Sequence, residues 1–281
     1  MSPSPTADEM GVAAPFLRWA GGKRWLSRKL VCALRADFKS YHEPFLGSGA
    51  LFFALRPSKA HLSDSNRELI NAFRVVRDKP DDLVHALRSF RYNREEYYRI
   101  RAESPSGDID RAARFIFLNR TCWNGLYRVN RAGTFNVPYG RRVRPAGWGH
   151  ERILEASELL QDAEIECRDF EDSLRRVRPG EFVFADPPYT VAHGNNGFIL
   201  YNEKIFSWGD QERLARVLMR ATDRGVHFVL TNADHPSIRD LYSGFELRPI
   251  ARSSIIAADS INRRHVSELL ISNCPLVDLD G

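Results

Sequence analysis

The sequence lacks paired cysteines and long apolar runs. Its 4 cysteines, Cys32, Cys122, Cys167 and Cys274, form no C-x-x-C pair and have no histidines close by in the sequence. This spacing argues against a zinc site and a disulfide framework, and it predicts free thiols. No apolar segment approaches the ~20 residues that span a bilayer, and the opening MSPSPTADEM has neither the basic nor the apolar region of a signal peptide. We therefore expect a cytoplasmic protein with no membrane partner.

What is present suits a globular chain. Hydrophobic residues make up 43% of the 281 residues and charged residues 27%, so the chain can bury a core. The formal net charge is +5, a modest basic bias that fits a polyanionic partner but is also common in proteins that bind none. We expect one large domain, or one domain with an insert.

Strand-like and helix-like segments alternate along most of the chain. The strand-like runs are SYHEPFLG, KAHLSDSN, AEIECRDF, EFVFADPP, GVHFVLTNAD, FELRPIARS and HVSELLISN. Helical patterning fills most of the gaps, as in GSGALFFALR and SWGDQERLARVLMRATDRG. This alternation predicts an α/β fold with a doubly wound, Rossmann-like sheet. The last two runs have no helix between them, so we expect them to form an antiparallel hairpin at the edge of the sheet.

One segment breaks the alternation. Residues 73–155 have a helical and strongly basic pattern, which predicts an inserted, mostly helical subdomain in a core of residues 15–72 and 156–281. Residues 1–14 are rich in serine, proline and small residues and predict a disordered tail.

A glycine turn and an acid occupy the ends of the first two predicted strands. Glycines in EPFLGSG, residues 43–49, let the backbone approach a ligand close to the start of the next helix. Asp64 ends the second strand, where an acidic side chain accepts hydrogen bonds from ribose hydroxyls. A plain glycine turn, with Asp64 as a helix N-cap, is the alternative. The two features together favour a cofactor that contains a nucleoside.

The chemistry of that cofactor is narrowed by a second absence. Neither G-x-G-x-x-G nor G-x-x-x-x-G-K-[ST] occurs, so a dinucleotide or a nucleoside triphosphate lacks its expected phosphate cradle. S-adenosylmethionine needs no such cradle, and its sulfonium cation suits an aromatic or acidic wall. The sequence therefore favours a cationic methyl donor.

The run FVFADPPYT, residues 182–190, leaves a strand through one carboxylate, two prolines and an aromatic ring. An exocyclic base amine is a poor nucleophile, because its lone pair is delocalised into the ring. Two acceptors that each take one N–H of the amine would direct this lone pair outward. The carboxylate of Asp186 and the backbone carbonyl of Pro187 are suited to this role. The prolines hold these acceptors in place before substrate binds, and Tyr189 offers a face on which an extruded base can stack. A rigid turn capped by Asp186 is the alternative.

The segment FLRWAGGKRWL, residues 16–26, carries an indole and a lysine before a basic helix. Trp19 could pack on the cofactor, and Lys23 could pair with the cofactor carboxylate or with a DNA phosphate. Taken alone, the pattern favours an amphipathic helix with a solvated basic face.

These motifs, in this order, resemble the Dam family of DNA adenine-N6 methyltransferases of the α class. The matching segments are FLRWAGGK, EPFLGSGALF, LSDSNRELI, FLNRTCWNGLYRVNRAGTFNVPYGR, FADPPY and RSSIIAADSINRRHVSELL. The resemblance implies methyl transfer from S-adenosyl-L-methionine to adenine N6 in double-stranded DNA, with GATC as the expected target and no obligate protein partner.

The resemblance also implies site residues. The cofactor positions are Trp19, Lys23, Phe45, Gly47, Gly49, Asp64, Asp169, Phe170 and Asp186, and the catalytic set is Asp186, Pro187, Pro188 and Tyr189. Arg128 corresponds to the residue that reads a guanine edge, which the planar fork of arginine suits. The other DNA-contacting positions are Asn124, Leu126 and Pro138, with Arg120, Arg141 and Arg142 on phosphates. For these last three arginines, a solvated basic face is the alternative.

The sequence departs from the family at one position: Trp123 replaces the usual tyrosine that wedges into the DNA stack. Two rival functions stay open from the sequence. One is methylation of another amine, on cytosine N4, RNA or a protein glutamine. The other is a DNA-binding relative without catalysis.

Overall fold

The structure of the protein is a computed structural model. It describes residues 15–19, 21–34, 38–130, 133–140, 150–190, 206–252 and 266–276. The predicted tail, residues 1–14, lies outside these described residues, as do Arg141 and Arg142.

Seven strands fall within the described ranges: β1 Tyr41–Glu43, β2 Ala60–Asp64, β3 Ala163–Cys167, β4 Phe182–Ala185, β5 His227–Ala233, β6 Glu246–Arg252 and β7 Val266–Ser272. They form one sheet in the order β3-β2-β1-β4-β5-β7-β6. β4 is parallel to both β1 and β5, and β2 is parallel to β3. β7 is antiparallel to both β5 and β6. The predicted α/β sheet and its antiparallel final pair are confirmed, with β6 as the edge strand.

Ten α-helices lie in the same described ranges: α1 Arg24–Ala33, α2 Ala50–Leu55, α3 Arg67–Asp78, α4 Pro80–Arg88, α5 Arg94–Ala102, α6 Asp108–Thr121, α7 His150–Leu160, α8 Phe170–Leu174, α9 Trp208–Asp223 and α10 Pro236–Leu241. The helices predicted for GSGALFFALR and SWGDQERLARVLMRATDRG are α2 and α9.

The chain divides into two compact units, which we describe separately. The first contains the described parts of residues 15–34 and 46–167, with β2, β3 and α1 to α7. Asn66 caps α3 by accepting the backbone N–H groups of Glu68 and Leu69. Apolar residues at helical spacing then bury one face of α3, and α6 packs against α3, α4 and α5. This packing fixes the end of α6, from which the predicted recognition segment continues.

The second unit contains the described parts of residues 38–45 and 168–276, with β1, β4 to β7 and α8 to α10. All four residues of β4 are buried, as expected for a parallel strand that is covered on both faces. A capping box between Ser207 and Asp210 starts α9, which buries Leu214 and Leu218. Asp186 therefore directly follows a strand whose position is fixed by apolar packing.

Candidate active site

Asp64 is held by backbone groups in the first unit. Its Oδ2 accepts the N–H of Gly47 at 3.2 Å, and its Oδ1 accepts the N–H of Asn66 at 2.9 Å. Because Asn66, and not Asp64, caps α3, the N-cap alternative for Asp64 is wrong. Each carboxylate oxygen has a further lone pair with which it can accept a hydroxyl. The carboxylate thus lies directly at the glycine turn, as a ribose-binding acid requires.

The electrostatics of Asp64 reflect a balance. Burial raises the pKa of Asp64 above its ordinary value, while the hydrogen bonds from the backbone of Asn66, Gly47 and Ser65 lower it by less. The net effect is a raised pKa. A carboxylate that is costly to desolvate gains from additional hydrogen-bond donors, and a ligand with hydroxyl groups would supply them.

The glycine turn is shaped around an indole. Gly47 and Gly49 have φ values of +49° and +65°, in the left-handed region that favours glycine. A Cβ on Gly47 would lie 2.9 Å from Cδ1 of Trp19. The missing side chain therefore lets the indole lie against the turn that Asp64 holds.

Trp19 contacts this turn, and Lys23 lies four residues further along the chain. Trp19 is half-buried and stacks on Tyr127, with ring centroids 6.0 Å apart and an interplanar angle of 15°. Lys23 immediately precedes α1, is only 4% exposed, and donates from Nζ to the carbonyl of Gly21 at 3.0 Å. The predicted helix forms as α1, but the ammonium group of Lys23 is buried and does not lie on a solvated face.

In the second unit, aromatic rings surround the start of α8. The Phe45 ring stacks on that of Phe170 with centroids 5.3 Å apart, and the Phe206 ring lies 5.5 Å from each. Asp169 accepts the N–H of Glu171 at 2.9 Å and a bond from Arg213 Nη2 at 3.0 Å. The guanidinium of Arg213 also lies 4.2 Å above the Phe170 ring. Arg213 therefore fixes both residues that are predicted to contact the cofactor adenine.

Asp186 directly follows β4, between the parallel strands β1 and β5. The carboxyl end of such a strand is where open α/β sheets bind ligands. Oδ1 of Asp186 accepts the hydroxyl of Thr231 at 2.5 Å, and Thr231 lies fully buried on β5. The neighbouring strand thereby orients the carboxylate.

The rest of the DPPY segment has its own polar support. The hydroxyl of Tyr189 donates to Oε2 of Glu268 at 3.1 Å, and Glu268 is 2% exposed on β7. Nε2 of Gln211 donates to the carbonyl of Pro188 at 3.5 Å, while Oε1 of Gln211 accepts from Asn232 at 3.0 Å. Side chains from β5, β7 and α9 therefore hold the DPPY segment in place through hydrogen bonds.

Sequence reasoning missed these four supporting residues, Gln211, Thr231, Asn232 and Glu268. The available signal was polarity in an apolar setting: TN interrupts HFVLTNA, and a lone glutamate interrupts VSELLIS. Buried polar side chains need partners, so such interruptions mark positions with a specific contact.

The predicted recognition segment forms a hairpin-like arrangement. Antiparallel bridges join Cys122 to Tyr139 and Val129 to Phe135, and the N–H of Trp123 donates to the carbonyl of Pro138 at 2.9 Å. The side chain of Trp123 is 46% exposed. Four of the predicted DNA contacts are exposed on this segment: Trp123, Asn124, Arg128 and Pro138, while Leu126 is half-buried.

Two arginines of the predicted set differ in their surroundings. Nε of Arg128 donates to Oδ1 of Asn136 at 2.9 Å, which orients the exposed guanidinium. Arg120 instead donates from Nη1 to the carbonyl of Phe16 at 3.1 Å, and burial lowers its pKa. Its phosphate contact stays a prediction, and Arg141 and Arg142 lie outside the described residues.

Other features of the described chain are simple. All four cysteines are free, as predicted, and burial raises the pKa of the Cys122 thiol to about 12. Among the described residues no cluster of side chains is suited to a metal ion. Within the same ranges, no helix is both long and apolar enough to cross a membrane.

Known proteins are similar in sequence to this chain over most of its length. Residues 19–255 match the family model described as D12 class N6 adenine-specific DNA methyltransferase. The chain is 37% identical over 269 residues to the Type II methyltransferase M1.LlaDCHI of Lactococcus lactis subsp. cremoris, covering 92% of this chain and 95% of that protein. It is 31% identical over 261 residues to the DNA adenine methylase of Escherichia coli, covering 91% and 93%. The resemblance to the Dam family is thus confirmed, and the chain belongs to the D12 class of N6 adenine-specific DNA methyltransferases.

Proposed function

We propose that the protein transfers a methyl group from S-adenosyl-L-methionine to N6 of an adenine flipped out of duplex DNA, within GATC and in the cytoplasm. The observation that carries the proposal is the setting of Asp186, at the carboxyl end of β4 and oriented by Thr231. Family membership favours adenine over cytosine N4, RNA or protein glutamine.

In this proposal, the residues at the predicted cofactor positions bind S-adenosylmethionine. Asp64 accepts the ribose hydroxyls, Trp19 packs on the cofactor, and Lys23 pairs with its carboxylate. Phe45, Phe170 and Asp169 surround the adenine. The fit rests on Asp64, a carboxylate that is held at a glycine turn and has remaining acceptor capacity. When bound, S-adenosylmethionine supplies an electrophilic methyl group on a sulfonium centre.

The catalytic residues orient the target amine. Asp186 accepts one N–H of the adenine amine and the Pro187 carbonyl accepts the other, so the nitrogen lone pair is directed out of the ring plane. These acceptors are rigid, since both prolines restrict the backbone and Thr231 fixes the carboxylate. The catalytic gain is thus electrostatic preorganisation, with Tyr189 as the stacking platform for the flipped base.

The recognition segment belongs to the insert that we propose for residues 73–155, and it contacts the DNA bases. Trp123 is exposed and suited to wedge into the base stack left by the flipped adenine. Arg128 reads a guanine edge, with Leu126 and Pro138 as apolar base contacts and Asn124 as a polar one. Contacts from arginine to phosphate make binding fall steeply as the salt concentration rises.

Transfer of labelled methyl from S-adenosylmethionine tests the whole proposal. One duplex contains GATC, and its matched control has the central adenine and thymine inverted. We expect label in the first duplex alone. Label in neither duplex, from a protein that binds the cofactor, would refute GATC as the target and require a search for another site.

A further inference from the structure

Asn119 lies between the loop that carries Trp19 and the turn that carries Trp123. It is near the end of α6 and is 1% exposed. Its Oδ1 accepts the N–H of Arg18 at 2.9 Å, and its Nδ2 donates to the carbonyl of Arg18 at 2.6 Å and to that of Gly125 at 3.3 Å. One buried amide thus joins the backbone next to the proposed cofactor tryptophan to the start of the recognition segment.

The two segments are in close contact at this place. Asn124 and Gly125 adopt left-handed backbone conformations, with φ values of +54° and +64°. A Cβ on Gly125 would lie 2.6 Å from the Cβ of Arg18, which real structures do not tolerate. The turn therefore lies directly on Arg18, and it has no room to shift toward it.

A second contact runs beside the amide. The ring of Tyr127, just beyond the turn, stacks on the indole of Trp19, and the Phe115 ring of α6 lies 5.3 Å from Tyr127 and 6.4 Å from Trp19. Trp19 in turn lies against Gly47, whose N–H is donated to Asp64. A continuous series of contacts therefore connects Asp64, the proposed ribose-binding acid, to Tyr127, which follows the turn at Asn124 and Gly125.

We infer that Asn119 is a positioning residue that holds the cofactor loop and the recognition turn in register, so that cofactor and specific DNA each strengthen the binding of the other. The inference rests on the proposed function, since it takes Trp19 as a cofactor contact and residues 123–128 as a DNA contact. By linkage, the factor by which DNA improves cofactor affinity equals the factor by which cofactor improves DNA affinity.

A purely structural role for Asn119 makes a different prediction. In that case any lost buried hydrogen bond near the end of α6 would have the same consequence. Thr121 offers the matched control, because it is fully buried two residues away and donates to the carbonyl of Phe117 within α6 at 2.6 Å. Thr121→Val removes a buried hydrogen bond without touching the bridge.

Calorimetric titration with S-adenosylhomocysteine, alone and with a saturating GATC duplex, provides the test. In the wild type we expect the duplex to tighten binding by about 5- to 10-fold, within the usual range for coupled sites. Asn119→Ala should bring this ratio close to one, whereas Thr121→Val should retain it. An unchanged ratio in Asn119→Ala, or an equal loss in Thr121→Val, would overturn the inference.

Two further variants keep the test decisive. Asn119→Asp keeps the acceptor for the Arg18 N–H but places an oxygen against two carbonyls, so it should lose the coupling as Asn119→Ala does. If both Asn119 variants fail to fold, Gly125→Ala keeps Asn119 but forces the turn away from Arg18, so it should separate the Gly125 carbonyl from the Asn119 amide and reduce the ratio. A ratio unchanged in that variant would overturn the inference.

The same titrations separate the inference from the function on which it rests. A wild type that binds neither S-adenosylhomocysteine nor the duplex would refute the proposed function. A wild type that binds both with no coupling would refute only the role of Asn119.

Discussion

The two acids of the proposed site are held in different ways. Asp64 is fixed by backbone N–H groups, one of them only two residues away in sequence, whereas Asp186 is oriented by a side chain 45 residues away. Tyr189 depends on a residue 79 positions away. Backbone groups are present whatever the sequence, so the acid at the glycine turn needs few specific neighbours. The DPPY segment needs several, and its geometry is open to change by substitutions far from it.

The largest effect should come from Asp186 itself. Asp186→Ala removes one of the two acceptors for the target amine, and we expect methyl transfer to fall by about 10²- to 10³-fold or more. Labelled methyl transfer measures the rate, and fluorescence anisotropy with a labelled duplex measures DNA binding, which should be nearly unchanged. If the variant instead loses DNA affinity, the role given to Asp186 is wrong.

A change at the other acid should act on binding. Asp64→Asn removes the charge that accepts the ribose hydroxyls, and hydrogen bonds to charged groups contribute about 1.5–3 kcal/mol each. We therefore expect affinity for S-adenosylhomocysteine to fall by about 10- to 100-fold in calorimetry, with little change in the rate at saturating cofactor. A large loss of rate at saturation, with affinity intact, would reverse the roles assigned to the two acids.

Substitutions behind the DPPY segment should have smaller effects on rate. Glu268→Leu removes the acceptor for the Tyr189 hydroxyl, and Thr231→Val removes the donor to Asp186. If the poorer orientation raises the activation free energy by about 1.4 kcal/mol, methyl transfer becomes about tenfold slower. Cofactor affinity should stay unchanged. Glu268→Gln keeps an acceptor and is the control, expected to retain most of the rate. Equal losses in Glu268→Gln and Glu268→Leu would mean that charge, and not the hydrogen bond, matters there.

The smallest effect is a pH dependence at Asp64. Since its folded-state pKa is raised, Asp64 contributes stability that is fully present below its unfolded-state pKa and is lost as pH rises through its folded-state pKa. Between these two pKa values, the wild type should lose more thermal stability with rising pH than Asp64→Asn. Cofactor affinity should change in the opposite sense, because the ionised acid accepts the hydroxyls. If the melting temperatures of the two proteins change equally with pH, the raised pKa of Asp64 is contradicted.

The sequence predicted most of the fold because local patterns carry it. All seven strand-like runs contain strands, and the antiparallel final pair followed from the absence of a helix between the last two runs. The glycine turn and Asp64 were also visible, since their spacing along the chain places them at the ends of strands. What the sequence did not reveal depends on contacts between distant residues: the support from Thr231 and Glu268, and the inward bond of Arg120 to Phe16. A side chain's partner across a sheet leaves no periodic signal along the chain.

The close contact between Gly125 and Arg18 limits how such an enzyme can be redesigned. A new target sequence would ordinarily be sought by exchanging the DNA-reading turn with that of a relative. Here an exchanged turn must keep glycine at position 125, because any side chain there would meet the Cβ of Arg18. A graft that begins after Asn119 would also depend on the side-chain amide of Asn119 in the host, which donates to the carbonyl of Gly125. The transferable module is therefore the end of α6 together with the turn, and not the turn alone.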